Sequence, residues 1–274
     1  MKNYSIIIPH KNSPDLLERC LKSIPERKDI EIIVVDDCSD ENGRPQTDRE
    51  GVEIIYVTKE ETKGAGRARN IGLKKATGKW LLFADCDDYY INNAFDEFDK
   101  VKDSDYDIIF FDYDNNQNKD TRFQYSLNKM LEGGKRDRAN FKHMSNTPWH
   151  KMYKREFVNG NNIQFEEIPI QNDSFFVHTA SSLTDKFYYI DKKLYYYEIN
   201  NGGITRLKRK KEDFERSTTT RIKVDRLKAK SGAWDYIYLS YGRKISEYGY
   251  FFVIKQQLRR VMHGLLYYLI RKHL

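Results

Sequence analysis

The sequence predicts an α/β fold: a mainly parallel sheet flanked by helices, followed by a basic helical C-terminal extension. Three observations predict it. Short apolar runs recur that are nearly continuous rather than alternating, as in strands covered on both faces. Segments with apolar residues at helical spacing lie between them. Several of these runs stop abruptly at proline or at paired aspartates, a polar rim at strand ends.

The elements follow in order. Tyr4 to Ile8 is a β-rich run closed by Pro9. Asp15 to Ile24 is a helix with Leu16, Leu17, Cys20, Leu21 and Ile24 on its apolar face, Ser13 as N-cap and Pro14 at the first helical position. Glu31 to Val35 is a strand ending at Asp36-Asp37, and Val52 to Val57 is another. Gly66 to Ala76 reads as helix, ended near Gly78. Trp80 to Ala84 is a buried strand that stops at Asp85-Cys86-Asp87-Asp88, and Asp107 to Phe111 is a further strand. The polar stretch from Asn115 to Arg138 reads as an irregular excursion. Phe187 to Ile190 and Leu194 to Tyr197 read as two short strands around a turn at Asp191-Lys192-Lys193. From Thr205 on the chain turns basic and helical.

The 274 residues suit one large α/β domain with an appendage. Hydrophobic residues make up 39% and charged residues 32%, a packable core under a very polar surface. The 3 cysteines, Cys20, Cys38 and Cys86, are odd in number and widely spaced, which argues against a disulfide framework or structural zinc and for a reducing, cytoplasmic setting. No signal peptide or bilayer-spanning run is evident. The net charge of +7 is uneven: residues 1–201 hold 30 Lys+Arg and 35 Asp+Glu, whereas residues 202–274 hold 18 and 6. An anionic partner is therefore expected for the C-terminal quarter only. Residues 1–204 are expected to form the main domain, with 1–114 and 115–204 as its two parts, and 205–274 the basic extension.

Three acidic clusters carry the chemistry. Asp36-Asp37 follows a buried strand, where ligands bind in open α/β sheets, and suits a nucleobase imide or ribose hydroxyls; a turn cap is the plain alternative. Asp85 and Asp87, at i and i+2 in a tight turn, can face one Mg²⁺ or Mn²⁺ that also takes substrate phosphates. Asp173 precedes an aromatic pair and by itself reads most simply as a helix N-cap. Between the first two clusters, Lys63-Gly64-Ala65-Gly66-Arg67-Ala68-Arg69-Asn70 offers glycines, free helix-start N–H groups and positive charge to phosphate.

Taken in order, Ser5-Ile6-Ile7-Ile8-Pro9, Val34-Val35-Asp36-Asp37-Cys38-Ser39, Gly66-Arg67-Ala68-Arg69-Asn70-Ile71-Gly72 and Ala76 to Asp88 resemble the family 2 glycosyltransferases. Trp149-His150-Lys151-Met152-Tyr153 and Asn172-Asp173-Ser174-Phe175-Phe176 continue the resemblance, toward the bacterial capsule, lipopolysaccharide and surface-glycan members. It covers roughly residues 4–205. It implies a GT-A type fold and inverting transfer of a hexose or N-acetylhexosamine from a nucleotide sugar, uracil being the expected base. It implies that Pro9, His10, Asn12, Asp36, Asp37, Lys63, Gly64, Arg69, Asn70, Asp85 and Cys86 surround the nucleotide sugar. Asp85 and Asp87 would hold Mn²⁺ or Mg²⁺ and Asp173 would be the general base. Two positions depart from the pattern: Asn172 stands where an acidic residue is usual, and His150 where Asn is usual. The acceptor implied is a glycan or a lipid-linked glycan.

The stripe Phe251, Ile254, Leu258, Val261, Met262, Leu265 and Leu269, interleaved with Lys255, Arg259 and Arg260, suits an interfacial helix on an anionic membrane through residues 250–272. Packing on the main domain or a homodimer contact is the alternative. A dehalogenase-like phosphatase is disfavoured by Tyr89 and by the late position of the Asp-X-Asp, and a nucleotidyltransferase by Pro9-His10-Lys11-Asn12-Ser13 in place of a glycine-rich loop. A catalytically inactive binding subunit of the same fold is the non-enzymatic reading. Nucleic acid is not expected, given the acidic balance of the main domain.

Overall fold

A computed structural model describes residues 2–117, 122–199, 210–237 and 248–266. Among them, eight strands form one sheet in the order β3-β2-β1-β4-β7-β6-β8-β5. These are β1 (Tyr4–His10), β2 (Ile30–Asp36), β3 (Val52–Tyr56), β4 (Trp80–Phe83), β5 (Tyr89–Tyr90), β6 (Ile108–Asn115), β7 (Lys151–Lys154) and β8 (Phe187–Tyr197). Strands β3, β2, β1 and β4 run parallel. Strand β7 is antiparallel to both β4 and β6, while β8 is parallel to β6 and β5 antiparallel to β8.

The continuous apolar runs are explained by two cores, one on each face of the sheet. Ile6, Ile8, Ile32 and Val34 enter one; Ile7, Ile33 and Val35 enter the other. With successive side chains pointing to opposite faces, every position of such a strand is buried. The first core is covered by α1 (Pro14–Lys22) and α3 (Ala94–Asp99), through Leu17, Cys20, Leu21, Phe95 and Phe98. The second is covered by α2 (Ala65–Lys75) and by later helices that supply Phe123, Phe141 and Phe176.

Several expectations are corrected. Ser13 sits at the N-cap of α1 but makes no side-chain cap bond; its hydroxyl donates to Lys11 O at 3.1 Å. The stretch read as irregular contains two helices, α4 (Arg122–Glu132) and α5 (Lys135–Lys142). Phe123, Leu127 and Met130 are buried on α4 at helical spacing, a stripe diluted by the polar residues between. The two short strands near the end of the main domain are one bulged strand. Ile190 pairs with Phe111, Lys193 with Asp112 and Tyr195 with Tyr113, so Asp191, Lys192 and then Leu194 are extra residues of a bulged stretch rather than a turn.

Helices α6 (Arg155–Gly160) and α7 (Ser174–Leu183) complete the main domain. Helix α8 (Lys211–Ser231) packs on α7, with Thr220 and Lys223 bonded to Glu166 and Ser231 to Ser182. Helix α9 (Tyr250–Arg260), continued by a wider turn over Val261–Leu266, packs in turn on α8. Arg260, expected on the basic surface, is instead buried in a two-bond pair with Asp225, at 2.5 and 2.8 Å. The expected boundary at 204/205 and the membrane-helix residues 267–272 lie outside the described residues. No helix among those described is long and apolar enough to cross a membrane.

Candidate active site

Sheet topology gathers the candidate residues on one edge. In the parallel half, the carboxyl ends of β2, β1 and β4 present Asp36-Asp37, His10 and Asp85 side by side. Two inter-strand spacings separate the first cluster from the second, roughly 10 Å. Because β7 runs against β4, its start lies at that same edge, bringing Trp149 and His150 there. Strands β6 and β8 run with β4, so their carboxyl ends add Tyr113 and Tyr197.

At the first cluster the two aspartates differ. Asp36 is consumed by the fold: it accepts from His10 Nδ1 at 2.8 Å, Ser39 N at 3.1 Å and Ser39 Oγ at 2.5 Å. His10 Nε2 accepts from Ser13 N at 3.2 Å, so both ring nitrogens are used in holding Asp36 and the turn into α1. Asn12 is likewise engaged, exchanging bonds with Asp40 at 2.8 and 3.1 Å. Asp37 is different. Its Oδ2 accepts from Gly64 N at 3.0 Å, while its Oδ1 is buried without a partner among the described residues. A buried carboxylate oxygen left bare costs free energy, and a ligand N–H or O–H would satisfy it. Gly64 has φ +83°, a backbone state that favours glycine, and this turns its N–H toward Asp37. Pro9 lies half-buried beside His10 on β1.

Helix α2 ties this cluster to the second. Arg69 reaches Asp85 at 2.6 Å and Asn172 at 2.9 Å, with its guanidinium over the Phe165 ring. Asn70 clamps the backbone of Phe165 with two bonds of 2.9 Å, so it fastens the 165–173 loop and does not face the edge. Lys63 and Arg67 pair with Glu167 at 3.1 and 3.3 Å. Asn172, the departure from an acidic residue, is thus the acceptor that receives Arg69.

The second cluster concentrates negative charge. Burial, then Asp85 and Asp87, push the Asp88 carboxyl well above its ordinary range. Asp88 is held by Tyr195 Oη at 2.9 Å and Glu198 N at 2.9 Å, and Tyr195 Oη also accepts from Asp85 N at 3.0 Å. Arg19 donates to Asp87 O at 2.5 Å. The Cys86 thiol is pushed up to about 12, by burial first and the three aspartates next. Among the described residues no group of three or more His, Cys, Asp and Glu is gathered to cage a metal. Asp85 and Asp87 nonetheless offer hard oxygens where charge needs neutralising. As hard oxygen donors they would suit a divalent cation that takes its other ligands from substrate and water.

Asp85 and Asp173 line one cleft of about 340 Å³, with Tyr113, Arg122, Asn146, Trp149, His150 and Tyr197. Asp173 occupies the N-cap position of α7 but makes no side-chain cap bond, which leaves its carboxylate to the cleft. Burial raises its pKa, Arg69 lowers it and Asp85 raises it again. Trp149 stacks on Tyr195 and Tyr197, at 4.9 and 5.3 Å between ring centres, and stands edge-on to Tyr113 at 4.7 Å. His150 accounts for its departure from Asn: Nδ1 meets Phe111 O at 3.2 Å and Nε2 meets Lys151 Nζ at 2.7 Å. Burial and the neighbouring Lys151 keep this imidazole neutral. Sequence reasoning missed Tyr195, Arg19 and Arg122. Tyr195 lay in a segment already noticed for its tyrosines; Arg19 and Arg122 carried no signal, because only the fold brings them near.

The family model described as Glycosyl transferase family 2 matches residues 5–160. Among curated relatives, glycosyltransferase GlyG of Streptococcus pneumoniae is 26% identical over 74% of this chain and 72% of its own. The uncharacterized glycosyltransferase EpsJ of Bacillus subtilis is 28% identical over 74% of this chain and 63% of its own. Among solved structures, residues 1–349 of S. aureus TarS in complex with UDP-GlcNAc superpose with a TM-score of 0.71, at 20% identity, over 95% of this chain and 80% of that one. The mannosyltransferase PcManGT from Pyrobaculum calidifontis, in complex with GDP-Man and Mn²⁺, gives 0.55 at 14% identity, over 95% of this chain and 74% of that one. The sheet, the ordered motifs and these likenesses agree: the chain belongs to glycosyl transferase family 2 and has the GT-A fold.

Proposed function

We propose that the chain is an inverting glycosyltransferase that moves a hexose or N-acetylhexosamine from a UDP-sugar to an acceptor hydroxyl in bacterial surface polysaccharide or glycolipid synthesis. The observation that carries this reading is the carboxyl edge of the sheet, which presents a bare Asp37 oxygen after β2 and Asp85 after β4, with the uncapped Asp173 lining the same cleft as Asp85. The relatives support it: TarS carries the name poly(ribitol-phosphate) beta-N-acetylglucosaminyltransferase, and its complexes hold UDP-GlcNAc and UDP.

In this mechanism Asp37 Oδ1 accepts the imide N–H of the base. The roughly 10 Å across β1 is filled by ribose and diphosphate. A divalent cation on Asp85 and Asp87, when bound, supplies Lewis-acid stabilisation of the departing diphosphate. Arg69 holds Asp85 in place and balances its charge. Asp173 takes the proton of the acceptor hydroxyl as its oxygen attacks the anomeric carbon from the side opposite the diphosphate. Tyr113 and Tyr197, backed by the buried Trp149, border the cleft in which the acceptor sugar would sit. A lipid-linked acceptor would place the chain at the inner face of the cell membrane.

The test is thermal stability against a panel of nucleoside diphosphates, with and without Mn²⁺, since a ligand that binds only the folded state raises the melting temperature. UDP with Mn²⁺ is expected to give the largest shift. Asp37→Ala should weaken UDP about ten-fold or more through the lost buried bond, and Asp87→Ala should remove the Mn²⁺-dependent part of the shift. A panel without any shift overturns the reading. A UDP shift without turnover of any UDP-sugar favours the inactive binding subunit.

A further inference from the structure

Helix α9 buries polar side chains and exposes large apolar ones. The face it turns to α8 is mixed: Val253 is fully buried in a small cluster with Phe214 of α8, yet Gln256, Gln257 and Arg260 are also only 2%, 4% and 7% exposed. Its outer face is apolar: Phe251, Leu258 and Met262 are 86%, 60% and 55% exposed, and Leu266 continues the line. Steps of seven and four residues put these side chains on one stripe. A helix lying on a water-facing surface carries the opposite arrangement.

The orientation is fixed by specific bonds. Arg260 forms its two-bond pair with Asp225, Gln256 donates to Glu215 at 3.0 Å, and Arg226 donates to the carbonyl of His263. Rolling α9 to bury the apolar stripe would break a buried ion pair, which is strongly destabilising. Lys255, Arg259 and His263 are exposed alongside the stripe, and residues 248–266 contain no Asp or Glu.

We propose that the outer face of α9 and the turn after it is a docking surface for an anionic lipid bilayer. Phe251, Leu258 and Met262 enter the headgroup–acyl boundary, and Lys255 and Arg259 meet lipid phosphates. Charge selects this occupant. A second copy related by a two-fold axis would set the same basic residues against themselves, whereas anionic headgroups pair with them. The surface bears on where a lipid-linked acceptor is met, but its test needs neither donor nor transfer.

The test is co-sedimentation of the full chain with phosphatidylcholine vesicles, with and without phosphatidylglycerol. The bound fraction should rise with phosphatidylglycerol and fall with added salt. The double change Phe251→Glu and Leu258→Glu should weaken binding about ten-fold or more, with an unchanged melting temperature because both side chains are exposed. Lys255→Gln is the second variant; it should reduce the phosphatidylglycerol-dependent part alone. Absence of vesicle binding, or binding indifferent to lipid charge and to all these changes, overturns the proposal. A dimer in solution dissolved by the double change would also overturn it and assign the face to a second copy.

Discussion

Gly66 stands where the two halves of the site touch, and replacing it with alanine should damage catalysis more than stability. A Cβ added there would lie 2.1 Å from Glu166 O and 2.9 Å from Asn172 Cβ. Nonbonded carbon contacts settle at about 3.5 Å or more, so something must retreat by roughly 1 Å. Helix α2 cannot, because its opposite side rests on β1, with Gly72 against Ile7. The 165–173 loop must move instead, although Asn70 and Arg69 fasten it at Phe165 and Asn172. Overpacking of this kind costs about 1–3 kcal/mol, and alanine returns up to ~1 kcal/mol of helix propensity. A net loss of about 1–2 kcal/mol in a chain of this size lowers the melting temperature by about 2–8 °C. Asp173 ends that loop, and a displacement near 1 Å costs a reacting pair about a hundred-fold in rate. The measurements are a thermal melt and initial rates of sugar transfer from UDP-GlcNAc, or from whichever UDP-sugar turns over. The fall should lie in kcat, with the UDP-induced melting shift retained. Gly160→Ala, where an added Cβ meets nothing within 4 Å, is the silent control. Wild-type kcat in Gly66→Ala would refute the idea that this contact positions the base.

Two further sites give testable outcomes. Asp173→Asn should lower kcat by about a thousand-fold while leaving the UDP-induced melting shift intact. Because burial raises the folded pKa of Asp173, the folded state binds the proton more tightly than the unfolded chain. Stability therefore declines as pH rises from the ordinary carboxylate range through the raised value. The Asn variant should melt higher than the parent at neutral pH and lose that advantage in acid, and the acid limb of kcat/KM in the parent should lie above the ordinary carboxylate range. Arg260→Ala, which strands Asp225 in a buried position, should cost about 3 kcal/mol in a thermal melt, and adding Asp225→Asn should restore part of it.

The parallel half was legible because its strands are buried on both faces and end in chemistry. Runs such as Ile6-Ile7-Ile8 and Ile32-Ile33-Val34-Val35 have no other good solution, and the acidic residues after them mark the carboxyl edge. The antiparallel half was harder to read. The face of α4 is spread over Phe123, Leu127 and Met130 among polar residues, and a bulge at Asp191-Lys192 looks like a turn in one dimension. At the site, position after a buried strand singled out Asp37 and Asp85, and only the family resemblance singled out Asp173; neither signal separates side chains with bare polar atoms from those already bonded within the fold. His10, Asn12 and Asn70 carry suitable chemistry, yet their polar atoms are spent on Asp36, Asp40 and Phe165. That distinction depends on bonds between residues as many as 95 positions apart, which no local pattern records.

The reversal of β7 explains how one edge could take both substrates of the proposed reaction. In a wholly parallel sheet, the segment leading into each strand lies at the amino edge, away from the ligands. Strand β7 enters from the other end, so Trp149 and His150, which precede it, arrive beside Asp85. The loop after α6 then returns across α2, where Arg69 bonds both Asp85 and Asn172. One guanidinium thus borders the proposed diphosphate site and the residue next to the proposed base. Its charge opposes the effects of burial and Asp85 on Asp173, keeping the carboxylate available as a base within reach of another acid. The donor cluster and the base, 88 residues apart from Asp85 to Asp173, are held in register by a side chain that belongs to neither.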